Sequence, residues 1–267
     1  MTIASAKDPV QLTLQDEIAI LTINRPQANN ALSPRIVDNL LFMLQALEAD
    51  NEIKVLIIQG AGESFCAGED LGDLATSGDP EQARQFREST VKLVRLIGAS
   101  PKIVISKIRG VAYGAGLDIV LAADFAIASP EATFGASLLD KGAPEWTSMV
   151  SLSRNIAAKH ALRILLGAEP VSAADAVIMG LIGQVVPEDE LDETVDRLAE
   201  RLIASAPQSL KLAKRAFRKQ LALPIDEAYA FAIEASLAMD EARPRSAESA
   251  RRHAAAGRLP APVSLDD

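Results

Sequence analysis

The pattern of apolar and polar positions predicts three buried strands, because short runs rich in β-branched residues are each bounded by turn-forming or charged residues. These runs cover Ile18 to Ile23, Val55 to Gln59 and Ile103 to Ser106. A fourth and shorter run covers Phe125 to Ala128. Each run is too short for a buried helix, so all four are interpreted as strands of one core.

Two segments between these strands have the apolar spacing of amphipathic helices. In "SPRIVDNLLFMLQALEAD", Ser33 is the expected N-cap and Pro34 the first helical residue. In "DPEQARQFRESTVKLVRLIGAS", Asp79 and Pro80 repeat that arrangement. Alternation of strands and helices predicts right-handed crossovers and a largely parallel sheet, which places the chain in the α/β class.

After about Pro144 the strand signal fades and helical patterns dominate. The predicted helices are Asn155 to Leu166, Ser172 to Met179, Glu188 to Ser205, Gln208 to Leu221 and Ile225 to Met239. We therefore predict an α/β core over residues 1–200 and a helical C-terminal region over residues 201–267.

Charge and composition exclude several classes of function. A net charge of −9 disfavours a general affinity for nucleic acid, and one cysteine excludes an intrachain disulfide framework. Two histidines, His160 and His253, are too few and too isolated to favour a histidine-based catalytic triad or a metal site. No apolar run approaches the roughly 20 residues of a membrane span, and no targeting segment is evident, so a cytoplasmic protein is expected.

Small residues follow the second and third predicted strands. "GAGESFCAGEDL" comes after the strand that ends at Gln59, and Gly114-Ala115-Gly116 opens an apolar helix after the strand that ends at Ser106. Open α/β sheets bind ligands at the carboxyl ends of their strands, and a helix start offers unpaired N–H groups. Two such loops could form an oxyanion hole.

The chain resembles the crotonase superfamily, also called the enoyl-CoA hydratase/isomerase family. The resemblance rests on the order and spacing of "INRPQANNAL", "GAGESFCAGEDL", "RGVAYGAGLDIVLAADFAIAS", "ATFGAS" and "SAADAVIMGLIGQVVP", which together span nearly the whole chain. It implies a crotonase-like ββα spiral core with a helical C-terminal trimerisation region. It also implies homotrimers that pair into hexamers.

Members of that family bind acyl-CoA thioesters and stabilise an enolate or related oxyanion with two peptide N–H groups. Carried over by position, the donors are Ala67 and Ala115, the second being commonly glycine in relatives. Cys66 is the alternative in the same motif, but no nearby histidine could activate it, and a buried free cysteine is usually a small hydrophobe. Glu69 and Asp70 are interpreted as turn-capping residues.

Proton transfer beside the thioester is expected from carboxylates, because the chain is poor in histidine. Hydratases of the family use two glutamates, and the matching positions here hold Asp118 and Leu138. Leucine cannot move a proton, so the second acid is expected at Glu145, as in relatives of the dienoyl-CoA isomerase type. Alternatively, Asp118 could only hold its own helix in place and Glu145 could only cap the helix that starts near Thr147, and Asp140 is a less favoured third candidate.

The resemblance also implies the binding surface for the substrate. The CoA group is expected along residues 27–30 and 67–71, with Trp146 as a wall of the acyl pocket and Arg25 as a cation for the phosphates. The substrate-binding residues predicted in this way are Arg25, Gln27, Ala28, Asn30, Ala67, Gly68, Asp70, Leu71, Gly114, Leu138 and Trp146. No metal and no resident cofactor are expected.

Two kinds of function remain open from the sequence. The first is an enzyme that isomerises or hydrates an enoyl-CoA, or that uses the same hole as a thioester hydrolase, decarboxylase or dehalogenase. The second is an acyl-CoA-binding protein without turnover, because the second glutamate of the hydratases is replaced by Leu138.

Overall fold

A computed structural model of the chain describes residues 8–70, 72, 79–136, 146–166, 169–205 and 207–242. The described strands are β1 (Val10–Gln15), β2 (Ile18–Ile23), β3 (Val55–Gly60), β4 (Ile103–Ile108), β5 (Val111–Tyr113), β6 (Phe125–Ala128), β7 (Thr133–Gly135), β8 (Val171–Ser172) and β9 (Gln184–Val185). The described α-helices are α1 (Pro34–Ala49), α2 (Pro80–Ala99), α3 (Ala115–Ala122), α4 (Ser148–Asn155), α5 (Ala158–Leu165), α6 (Ala173–Ile178), α7 (Leu191–Ala204), α8 (Pro207–Gln220) and α9 (Ile225–Ala242). Short 3₁₀ helices cover Pro26–Ala28 and Glu188–Glu190.

The strands form two sheets. The larger has the order β1-β2-β3-β4-β6-β9, and the smaller has the order β5-β7-β8. In the larger sheet only β1 runs antiparallel to its neighbour, so the prediction of a largely parallel α/β sheet is confirmed. In the smaller sheet β5 and β7 are parallel, and β8 is antiparallel to β7.

Helices cover the larger sheet on both faces, because successive side chains of each strand point to opposite sides. Leu56 and Ile58 of β3 pack in the same cluster as the apolar faces of α1 and α2. Val55 and Ile57, the alternating positions of the same strand, pack in a second cluster with Leu191 of α7 and its neighbours. This explains why the β3 segment is apolar at every position up to Ile58.

The predicted helix starts are confirmed by their capping geometry. The Ser33 hydroxyl accepts a hydrogen bond from the Ile36 N–H, with Pro34 as the first residue of α1. The Asp79 carboxylate accepts one from the Glu81 N–H at the start of α2. The helix predicted from Asn155 begins instead at Ala158, since α4 occupies residues 148–155 as a separate helix.

The chain divides into two compact units, one up to Leu212 and one from Ala213 onward. The predicted boundary after residue 200 lies inside α7. None of the described helices has both the length and the hydropathy that crossing a membrane requires.

Candidate active site

The segment after β3 is held from one side by β5. The Cys66 N–H donates to the Val111 carbonyl at 2.9 Å, and the Tyr113 N–H donates to the Cys66 carbonyl at 2.9 Å. The start of α3 presses on the same place, because a Cβ built on Gly116 would lie 2.3 Å from the Cys66 oxygen. Only glycine fits there, which brings the first turn of α3 against the segment.

The opposite side of the segment is bonded to the chain just before α1. The Leu32 N–H donates to the Gly68 carbonyl at 2.8 Å, and the Asp70 N–H donates to the Leu32 carbonyl at 2.9 Å. The peptide group between Gly68 and Glu69 is trans and planar, so the Glu69 N–H points opposite to the Gly68 carbonyl and therefore away from Leu32.

The Ala67 N–H, predicted from the sequence to be an oxyanion donor, is already bonded within the protein. It donates to the Asn29 carbonyl at 2.9 Å and so holds the segment against the loop before α1. The prediction of Ala67 as an oxyanion donor is therefore corrected. The orientation of the peptide group between Gly68 and Glu69, which the motif alone does not show, moves the candidate N–H to Glu69.

Ala115 is the first residue of α3 and follows a tight turn. Gly114 has φ 50° and ψ −121°, and its N–H donates to the Gly135 carbonyl at 2.9 Å. The first N–H that closes a turn of α3 is that of Asp118, which donates to the Gly114 carbonyl at 3.0 Å. Within the described part of the chain, no group accepts a hydrogen bond from the Ala115 N–H. This is the geometry of a backbone donor for an anion at a helix start.

Asp118 lies one turn into α3 with only 2% of its surface exposed. Its Oδ2 accepts a hydrogen bond from the Ser148 hydroxyl of α4 at 2.9 Å. Ser148 is likewise 2% exposed. The carboxylate is thus close in sequence and space to the Ala115 N–H, as expected, but Ser148 was not predicted from the sequence.

Two residues predicted to contact CoA also bond within the protein. The Arg25 guanidinium forms an ion pair with Asp70. The Asn30 side chain is fully buried, accepts from the Arg25 N–H at 2.9 Å, and donates to the carbonyls of Ala61 and Ser64. The contacts of CoA with the backbone of residues 27–30 and with the Arg25 guanidinium stay predictions.

The structural interpretation of Asp70 agrees with its contacts, since its Oδ1 also accepts from the Gly72 N–H at 3.0 Å. Gln27, in the 3₁₀ helix before Asn29, is exposed, and Ala28 is partly exposed. These two positions remain accessible for the predicted contact with CoA.

Several predicted site residues lie outside the described part of the chain. They are Leu71, Leu138, Asp140 and Glu145. Trp146 is described and is 69% exposed, and Met149 and Val150 at the start of α4 are also exposed. An apolar surface therefore adjoins Ser148, the residue that contacts Asp118.

Two further polar residues that the sequence brings into consideration are Cys66 and His160. Burial raises the pKa of the Cys66 thiol to about 12, so this side chain stays protonated and inert, as the sequence suggested. His160 is half-buried on α5. Among the described residues, no three histidine, cysteine or acidic side chains are grouped so that they could hold a metal ion.

Comparisons with known proteins identify the family of the chain. A sequence model described as enoyl-CoA hydratase/isomerase matches residues 13–251. The chain is 33% identical over 228 residues to a short-chain-enoyl-CoA hydratase of Clostridium acetobutylicum, which covers 85% of this chain and 87% of the relative. It is 32% identical over 216 residues to a hydroxycinnamoyl-CoA hydratase-lyase of Pseudomonas fluorescens, covering 79% and 78%.

Solved structures of enoyl-CoA hydratases and related proteins have the same fold as this chain. An enoyl-CoA hydratase of Mycobacterium smegmatis superimposes with a TM-score of 0.89 and 28% identity, covering 94% of this chain and 98% of the other. The human enoyl Coenzyme A hydratase domain-containing protein 3 superimposes with a TM-score of 0.84 and 29% identity, covering 95% and 99%. The predicted crotonase-like fold is confirmed.

Proposed function

Because the chain belongs to the enoyl-CoA hydratase/isomerase family, we propose that it binds an acyl-CoA thioester and stabilises the enolate formed at its carbonyl. The observation that carries this proposal is the start of α3, where the Ala115 N–H precedes the buried carboxylate of Asp118 by one turn. An oxygen bonded at Ala115 would leave the adjacent acyl carbons close to Asp118.

We assign the two oxyanion donors to the N–H groups of Ala115 and Glu69. Support comes from the direction of the Glu69 N–H, which points away from Leu32, and from the first turn of α3, which lies against Cys66 in the same segment. Fixed donors of this kind need no reorganisation when charge develops on the oxygen. Each is worth about 3 kcal/mol of the activation barrier.

Asp118 is proposed as the group that moves the proton, with Glu145 as the second acid. Isomerisation of an enoyl-CoA requires removal of a proton from one carbon and its return to another, which one carboxylate can do in both steps. Hydration requires a group that activates water and one that protonates the α-carbon. Leu138 at the usual second position therefore favours isomerisation unless Glu145 supplies the missing group.

The acyl group is proposed to lie against the exposed apolar side chains of Trp146, Met149 and Val150. CoA would follow Gln27, Ala28 and the backbone of residues 68–71. The chemistry needs no resident cofactor, since amide N–H groups and carboxylates supply both the charge stabilisation and the proton transfer.

The described part of the C-terminal unit supports the proposed self-association. Four apolar residues of α9 recur at every fourth position and are all more than half exposed: Ile225, Tyr229, Ile233 and Leu237. A stripe of this kind on one helix face is typical of a helix that packs against another surface. We propose that it contacts a second copy of the chain in a trimer or a pair of trimers.

The test of function is incubation of the purified protein with crotonyl-, 3-enoyl-, dienoyl- and aryl-CoA, followed by mass spectrometry and chiral analysis of the products. Conversion of one class identifies the reaction, and a mass gain of one water separates hydration from isomerisation. Tight binding of all classes without conversion of any would reject the enzymatic proposal and support a CoA-ester-binding protein.

A further inference from the structure

Ser148 lies at the first position of α4 and contacts the carboxylate that we assign to proton transfer. Its hydroxyl is 2.9 Å from Asp118 Oδ2, and both residues have only 2% of their surface exposed. An ionised carboxylate can only accept hydrogen bonds, so the hydroxyl is the donor in this contact. The bond crosses from α4 to α3 and is shielded from water.

This contact fixes the orientation of the carboxylate. Oδ2 is held by Ser148, so a residue of α4 sets the rotation of the Asp118 side chain. A hydrogen bond donated to the ionised form also favours that form over the protonated one. Ser148 therefore affects both the direction in which Asp118 points and the pH range over which it acts as a base.

We propose that Ser148 is a positioning residue that orients Asp118 and favours its ionised form, which is the form that abstracts a proton. The inference rests on the proposed role of Asp118. It goes further by assigning control of that carboxylate to a residue of a different helix, which itself does not touch the reacting atoms.

The position of Ser148 also connects the base to the acyl group. Trp146, Met149 and Val150 surround it in sequence and are exposed, whereas Ser148 is buried. The start of α4 thus presents an apolar surface outward and its hydroxyl inward. An acyl group that packs on that surface would hold the start of α4 in the position from which Ser148 contacts Asp118.

The test compares Ser148→Ala and Ser148→Cys with Ser148→Thr, using the acyl-CoA that the wild type converts fastest. Ala removes the donor, Cys keeps the size with a weak donor, and Thr keeps the hydroxyl. Ser153→Ala is the matched control, because Ser153 is exposed on the same helix. Circular dichroism and thermal unfolding establish that each variant is folded.

We expect Ser148→Ala and Ser148→Cys to lower kcat about tenfold while KM changes less than twofold, because the hydroxyl acts on the base and not on substrate binding. The acidic limb of the pH profile of kcat should move upward by about one pH unit, as loss of one hydrogen bond to a charged group implies. Ser148→Thr should recover most of kcat and the original limb, and Ser153→Ala should match the wild type.

Two results separate this inference from the proposed function. If Asp118→Asn retains wild-type turnover, the proposed function fails. If Asp118→Asn is inactive while Ser148→Ala keeps the wild-type kcat and pH profile, the inference about Ser148 is overturned and the function stands. A carbon-13 NMR titration of the Asp118 carboxyl gives a readout without turnover, and equal midpoints in wild type and Ser148→Ala would also overturn it.

Discussion

Arg25 and Asp70 form an ion pair that joins the loop before α1 to the segment after β3. Their side chains are 29% and 19% exposed, so the pair is partly shielded from water and salt. The pair holds the segment that carries the Glu69 N–H. An arginine that a motif suggests for phosphate binding is therefore used to fix the backbone of the proposed oxyanion hole.

We predict that this ion pair contributes measurably to stability. A double-mutant cycle of Arg25→Ala and Asp70→Ala, followed by urea unfolding, should give a coupling energy of about 1–2 kcal/mol. The control is the cycle of Arg84→Ala and Glu88→Ala, whose side chains are 70% and 62% exposed and should couple by about 0.3–0.5 kcal/mol. Equal coupling in both cycles would contradict the structural role.

The Ala115 N–H can be removed with little expected cost to the fold. Ala115 is the first residue of α3, a position at which proline is tolerated because the N–H has no partner within the helix. We expect Ala115→Pro to lower kcat/KM by about 100-fold or more, the usual effect of losing one oxyanion donor. The measurement is steady-state turnover of the preferred acyl-CoA.

Ala115→Gly is the matched variant, since it removes the methyl group and keeps the N–H. It should retain most of the activity. A folded Ala115→Pro protein with parental turnover would show that this amide does not stabilise the transition state.

Gly116 is predicted to tolerate no side chain. A Cβ there would meet the Cys66 carbonyl oxygen at 2.3 Å, and this neighbour is backbone that cannot move alone. Gly116→Ala should lower the free energy of unfolding by about 2–3 kcal/mol and reduce turnover, because α3 must shift away from the segment after β3.

Gly183→Ala provides the comparison, since its Cβ would meet only the Ala126 carbonyl oxygen at an ordinary 3.6 Å. Its effect on the free energy of unfolding in urea should be below about 1 kcal/mol. A Gly116→Ala protein as stable and active as Gly183→Ala would refute the close contact.

The sequence predicts the strands that have continuous apolar runs and misses the alternating or very short ones for a physical reason. The strands from Ile18, Val55, Ile103 and Phe125 are confirmed because buried parallel strands have continuous apolar runs. The β1 segment, "VQLTLQ", alternates apolar and polar residues at the sheet edge. Strands β5, β7, β8 and β9 have only two or three residues, which is too short for a periodic signal.

For the candidate site, the motifs indicate which loops to consider but not the direction of their backbone groups. Ala115 and Asp118 lie where the motif predicts them. Ala67 and Glu69 are two residues apart in one motif, and only the hydrogen bonds to Asn29 and Leu32 distinguish their orientations. The ion pair of Arg25 could not be predicted from the motif, because its partner Asp70 is distant in sequence. Glu145 and the cytoplasmic location stay predictions.

The buried thiol of Cys66 gives a pH-dependent prediction. Its pKa is about 12 in the folded protein, whereas a free thiol ionises near pH 8.5. Above about pH 9 the unfolded chain therefore loses a proton that the folded chain retains, and stability falls. Relative to Cys66→Ala, the wild type should lose about 1.4 kcal/mol per pH unit between roughly pH 9 and pH 12.

The measurement is the free energy of unfolding of both proteins in urea from pH 7 to pH 11. Subtracting the value of Cys66→Ala from that of the wild type at each pH removes the contribution of all other titrating groups. Iodoacetamide should label the native wild type only as fast as it unfolds. A pH-independent difference between the two proteins, or rapid labelling of the native state at pH 8, would show that the thiol is accessible.

The apolar stripe on α9 predicts that the chain self-associates. Ile225, Tyr229, Ile233 and Leu237 expose a continuous apolar row within the described part of the C-terminal unit, and burying it against a second copy would gain about 25 cal/mol per Å² of apolar surface. Sedimentation velocity of the wild type should give the mass of a trimer or hexamer.

Tyr229→Asp with Ile233→Asp should shift the distribution toward smaller species, because two carboxylates would have to be buried without partners. Glu234→Gln, an exposed change on the same helix, should leave the wild-type mass unchanged. A wild-type protein that stays a compact monomer at all concentrations would reject the association, and the stripe would then need another explanation.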